Sequence, residues 1–172
     1  MFLKFIKDFN LKKIVNKTLS NYTAPAADGK IKTVGVIIDE TYFAEREKLV
    51  QEIASHGIAA GNIETLSFFE QVKKDRLPSC CYFTYGDITT GGAYTKDDVN
   101  RFINKPFDLL ISYYDVQKPP LALATLTSRA AFKAGFSTVN NRLNAFMIAG
   151  RAEDFKGFIT ELFKYVVIFN KL

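Results

Sequence analysis

Short apolar runs without polar interruption recur along the chain, separated by stretches of helical spacing or by turn residues. Residues 34–38 (VGVII), 63–69, 80–85 (CCYFTY) and 109–114 are the clearest, and 132–136 and 145–149 repeat the pattern more weakly. A run this short that does not alternate with polar residues reads as a strand buried on both faces. Such strands belong to parallel sheets covered by helices on each side. Between the first two runs, Phe43, Leu49, Val50, Ile53 and Ala54 supply an inner helix face and Glu45, Arg46, Glu47 and Lys48 a wet one, with Gly57 as the stop. Strand, helix and strand within ~35 residues is the right-handed βαβ crossover.

The same reading extends to the end of the chain. Thr95 with Asp98 three residues on predicts a capped helix to residue 102, and Pro119 with Pro120 starts a helix running to about residue 131. Phe155, Phe158, Ile159, Leu162, Phe163 and Val166 keep helical spacing within a closing helix over 153–170. The predicted fold class is α/β: an open, mostly parallel, Rossmann-like or flavodoxin-like sheet with helices on both faces, preceded by a basic N-terminal helix. At 172 residues one α/β domain is expected over 31–172, with residues 1–30 forming a basic amphipathic helix and linker.

Charge is concentrated at the start. Residues 1–32 hold seven lysines against Asp8 and Asp28, which accounts for the whole net charge of +5, and the rest of the chain balances. A nucleic-acid surface spreads cations over the face that follows the phosphates, so nucleic acid is not an expected partner. The segment 1–22 reads as helix with two apolar sets. Phe2, Phe5, Ile6 and Phe9 share one face, while Leu11, Ile14, Val15 and Leu19 form another displaced by about half a turn. Either the helix breaks near Asn10, or it is straight and meets partners on two sides. Three destinations are open to it: packing on its own domain, a groove in a protein partner, or an anionic membrane surface. Phe2, Phe5, Ile6, Phe9, Lys12 and Lys13 are its candidate docking residues. Residues 23–30 (TAPAADGK) read as a linker.

Other chemistry is sparse. Cys80 and Cys81 are adjacent and read as small apolar strand residues, and free thiols suit a reducing compartment. His56 is the only histidine and falls at a helix end before Gly57, which leaves no material for a histidine zinc site. No apolar run approaches the ~18 residues that span a bilayer, so the expected location is the cytoplasm, with the inner membrane surface as a possible station.

Ligands of doubly wound sheets bind beyond the carboxyl ends of the strands. Asp39, Asp87 and Asp115 each follow a predicted strand there, and hard oxygen donors of that kind suit Mg²⁺. The loop 86–92 (GDITTGG), with Gly91 and Gly92, is rich in hydroxyls and backbone donors but lacks the spacing of a phosphate-binding loop. The alternative for all of these is turn and cap formation. Ser128 and Arg129, and the polar group Asn140, Asn141, Arg142 and Asn144, read as a solvated edge and a turn.

Through FDLLISYYD (107–115), TSRAAFKAGF (127–136) and ELFKYVVIFNK (161–171), the chain resembles a family of short Bacteroidetes proteins of unknown function over nearly its whole length. That resemblance implies a shared architecture and carries over no catalytic residue. Residues 107–136 are also similar to part of the N-terminal half of heptosyltransferase-like glycosyltransferases, whose nucleotide-sugar half has no counterpart here. VGVIIDE (34–40) and DVQKP (115–119) are similar to response-regulator receiver domains, which would make Asp39 and Glu40 an acidic pair and Asp115 a phosphate acceptor. The Ser/Thr and Lys expected on later strands of that pattern are missing. Two functions remain as expectations: a non-enzymatic cytoplasmic binding module with an N-terminal docking helix, and a small Mg²⁺-dependent phosphate or nucleotide enzyme or sensor at the strand ends.

Overall fold

A computed structural model describes residues 2–172. The expected helix over 1–22 is observed as one continuous helix, α1 (Phe2–Ser20), with no break at Asn10; Met1 lies outside the described residues. Then follow β1 (Val34–Asp39), α2 (Arg46–Ser55), β2 (Ile63–Phe68), β3 (Tyr82–Phe83), α3 (Asp97–Asn104) and β4 (Leu109–Tyr113). The chain closes with α4 (Pro119–Thr127), β5 (Phe132–Phe136), β6 (Phe146–Ile148) and α5 (Phe155–Ile168).

The six strands form one sheet in the order β3-β2-β1-β4-β5-β6, and every pairing is parallel. This is the doubly wound order of dinucleotide-binding domains, with its switch point between β1 and β4. Alternation along the strands sorts the core into two layers. Val34, Val36 and Ile38 of β1 and Leu109, Ile111 and Tyr113 of β4 pack with α2 and α5 on one face. Ile37 and Leu110 pack with α1, α3 and α4 on the other. Gly35 is required where it stands, because a Cβ there would lie 2.7 Å from the Phe107 ring that covers β1.

Several boundaries move for local reasons. The expected strand 80–85 pairs only at Tyr82 and Phe83, after which Thr84 caps a tight turn over Tyr85–Asp87. Lys96, not Thr95, is the N-cap of α3, and the Thr95 N–H instead donates to the Asp87 carbonyl at 2.9 Å. The helix begun by Pro119 stops at Thr127, which leaves Ser128 and Arg129 beyond it. Phe43 packs into the core from the loop ahead of α2 rather than from the helix. His56 caps the end of α2 and stacks on Phe163 at 4.8 Å, followed by Gly57 at φ +99°.

Candidate functional site

The switch point is the first place to look for a ligand, since β1 and β4 diverge there with Asp39 and Asp115 at their carboxyl ends. Asp39 is buried and paired with Lys118, whose Nζ lies 2.7 Å from Asp39 Oδ2 and 3.1 Å from Glu70 Oε1. Lys118 also sits 4.5 Å from the Tyr42 ring centroid, and its contact holds the Glu70 carboxyl below the usual carboxylate range. Asp115 Oδ2 accepts the Ala152 N–H at 2.9 Å. Asp87 caps its own turn, accepting from the Thr84 N–H and hydroxyl at 2.8 and 2.9 Å, with Lys96 at 3.4 Å. The expected convergence of the three aspartates is therefore corrected: among the described residues no group of three His, Cys, Asp or Glu side chains is placed to hold a metal ion.

Phosphate binding at the same edge would need free helix N-termini. At α2 the first turn carries Glu47 behind Glu45 at the N-cap, and Arg46 between them is already paired with Glu40 and Glu47 at 2.8 and 2.6 Å, which leaves no free cation for an anion. At α4 the first two positions are Pro119 and Pro120, which have no N–H to offer. The 86–92 loop closes on itself: Thr89 N–H donates to Ala93 O, Gly92 N–H to Thr89 O, and Gly86 N–H to the Thr84 hydroxyl. Gly92, at φ +84°, lies against Ile14 and Leu123, so this turn supports α1.

The second candidate is α1. At about 100° per residue, Leu11, Val15 and Leu19 fall on one side of the helix and Phe2, Phe5, Ile6 and Phe9 on the other. The first three are 1%, 2% and 5% exposed and belong to the core layer with α4. Phe2, Phe5 and Phe9 are 76%, 71% and 62% exposed. Lys12 and Lys13 continue the outer side and are exposed as well. The two apolar sets thus mark a helix with an inner and an outer face.

Polar contacts fix the first half of α1 over the carboxyl edge of the sheet. Lys4 pairs with Glu70 at 3.5 Å, Lys7 Nζ donates to Tyr85 O at 3.1 Å, and the Tyr85 hydroxyl donates to Asp8 at 3.1 Å. Burial, with the Asp8 charge behind it, pushes the Tyr85 hydroxyl well above its ordinary range, which keeps it a donor. Asp8 also pairs with Lys12 at 3.0 Å. At the other end Arg142 Nη1 donates to the Leu19 and Ser20 carbonyls, each at 3.0 Å, which closes the helix C-terminus. The buried Lys133 ammonium donates to Thr125 O, Ser128 O and the Tyr22 hydroxyl at 2.6, 2.8 and 2.8 Å, and so ties the segment after α1 to the end of α4. Its burial brings it down to about 8. The linker runs beside β5, with Ala26 bridged to Phe132.

Sequence alone assigns no role to Lys118, Tyr85 or Lys133, and Arg142, expected in a turn, also closes the C-terminus of α1. Lys118 carried one signal, its place directly before Pro119-Pro120 at a strand-to-helix junction. Lys133 carried none, because a lysine inside an apolar run looks like an interruption. Cys80 and Cys81 are both half-buried, and burial, with Asp98 beside it, pushes the Cys81 thiol up to about 12, where it is unreactive.

Fold and surface together define a doubly wound α/β domain that carries an accessory helix, which is not the amphipathic helix expected but one with apolar residues on both sides, one set packed and one open. The chain belongs to a family of unknown function (DUF6913), whose profile matches residues 7–169. No curated protein and no solved structure matches it.

Proposed function

We propose that the protein is a non-enzymatic binding module that docks through the outer face of α1 onto a surface outside its own domain. One observation carries this reading: within a single helix, Leu11, Val15 and Leu19 are buried while Phe2, Phe5 and Phe9 stand in solvent. The buried set already anchors α1, so the exposed phenylalanines contribute nothing to its attachment. Exposed apolar clusters of this kind mark interaction sites. The reading implies a cytoplasmic setting, in keeping with two free cysteines.

The test compares the full chain with a Phe2→Ser, Phe5→Ser, Phe9→Ser variant in the cells that make it. The native chain should co-fractionate with large assemblies or membranes and the variant should run as a free protein of equal thermal stability. Identical fractionation of the two, or a variant that melts well below the native chain, would contradict the proposal.

A strand-end phosphate or nucleotide enzyme remains the second reading, favoured by the strand order that sets Asp39 and Asp115 beside the switch point. It requires Lys118 to release Asp39 to a metal or a ligand. Thermal unfolding with Mg²⁺ and a nucleotide panel decides it, since any ligand of the native state raises the midpoint. A rise abolished by Asp39→Ala would favour the enzyme over the docking module.

A further inference from the structure

The docking face has a composition that selects among the surfaces it could meet. Asp8 is the only acid in α1, and it is half-buried and held by the Tyr85 hydroxyl and Lys12. The exposed charged side chains of α1 are all cations, Lys4, Lys12, Lys13 and Lys17, of which Lys4 pairs with Glu70 and Lys12 with Asp8. Phe2, Phe5 and Phe9 all project into solvent from the outer side of the helix. The Lys4–Glu70 pair joins this helix to the loop after β2, where Lys73, Lys74 and Arg76 outnumber Asp75 among the exposed charges and Leu77 is exposed with them. No described helix is long and apolar enough to cross a membrane.

Resting on the docking reading above, we infer that the surface α1 meets is an anionic lipid bilayer, entered by Phe2, Phe5, Ile6 and Phe9 and held electrostatically by Lys12 and Lys13. A protruding ridge of phenylalanines has no groove to match in a fluid bilayer, and acyl chains close around it. The lysines follow one turn further on the same side, where they meet lipid phosphates while the rings reach the acyl boundary. The inner face stays on α4, so the domain lies on the membrane without unfolding its helix. Only the outer apolar set meets the bilayer, because the inner one never leaves the protein.

The full-length chain is sedimented with vesicles of phosphatidylcholine alone and of phosphatidylcholine mixed with phosphatidylglycerol. It should pellet with the mixed vesicles and not with the neutral ones, and added salt should release it. Each lysine neutralised should lower partition about fivefold, so Lys12→Gln with Lys13→Gln should lower it by about 25-fold. The Phe2→Ser, Phe5→Ser, Phe9→Ser variant should not pellet at all. A native chain that stays in solution with both vesicles, or that binds both equally, overturns the lipid inference. If it stays in solution yet still fractionates with large assemblies in cells through its phenylalanines, the docking reading stands with a protein partner. If instead the phenylalanine variant melts far below the native chain, the docking reading itself falls, and the lipid inference with it.

Discussion

The two halves of α1 carry similar residues to opposite ends. Leu11, Val15 and Leu19 in the second half are core, whereas Phe2, Phe5 and Phe9 in the first are larger and exposed. Hydrophobicity alone does not decide burial; the surface available opposite does. The second half lies along α4, an apolar helix whose residues from Pro120 to Leu126 are all buried. The first half runs past that helix over the carboxyl edge, where its polar partners are Glu70 and Tyr85, and there it is held by ion pairs and hydrogen bonds. Apolar packing fixes one half and polar contacts position the other.

Substitutions can break this contrast in graded steps. Leu11→Ala with Val15→Ala should have the largest effect, about 3–5 kcal/mol, because each truncation leaves a cavity against α4. Thermal unfolding should show a midpoint on the order of 10 °C lower.

Next comes the lysine behind the end of α1. Lys133 releases its proton near 8 in the folded protein, against 10.5 in its ordinary state. Between those values the unfolded chain binds more protons, so stability rises as pH increases through that window, by about 3 kcal/mol in full. Urea midpoints measured from about pH 7.5 to 9.5 should climb in the native chain and flatten in Lys133→Met; an equal slope in both would refute the assignment.

Glu70→Gln removes a partner from both Lys4 and Lys118. It should cost about 1 kcal/mol, and hydrogen exchange should speed up in residues 2–10 with little change in 11–19. The smallest effect belongs to the serine substitutions at Phe2, Phe5 and Phe9, which should move stability by no more than about 0.5 kcal/mol each.

The sheet was readable because buried parallel strands announce themselves as apolar runs; 132–136 is observed with the expected bounds, and 34–38 and 109–114 shift by one residue. The strand order was not readable, since it depends on which crossovers the helices make and leaves no mark in any one segment. The 80–85 run failed for a definite reason: Thr84 and Asp87 build a capped turn that competes with extension after Phe83. At the candidate site, Phe2, Phe5, Ile6 and Phe9 could be placed on one face from spacing, while the exposure of that face could not be read from it. The partner of Asp39 could not be named, because Lys118 reaches it only through the fold.

The chain contains no tryptophan, so Phe5→Trp gives a single fluorescent reporter on the outer face of α1. In the isolated chain its emission should be that of an indole in water, fully quenched by iodide, and it should shift to the blue and become protected when phosphatidylglycerol-containing vesicles are added. A blue-shifted, unquenchable indole in the isolated chain would place the outer face inside the protein and contradict the account.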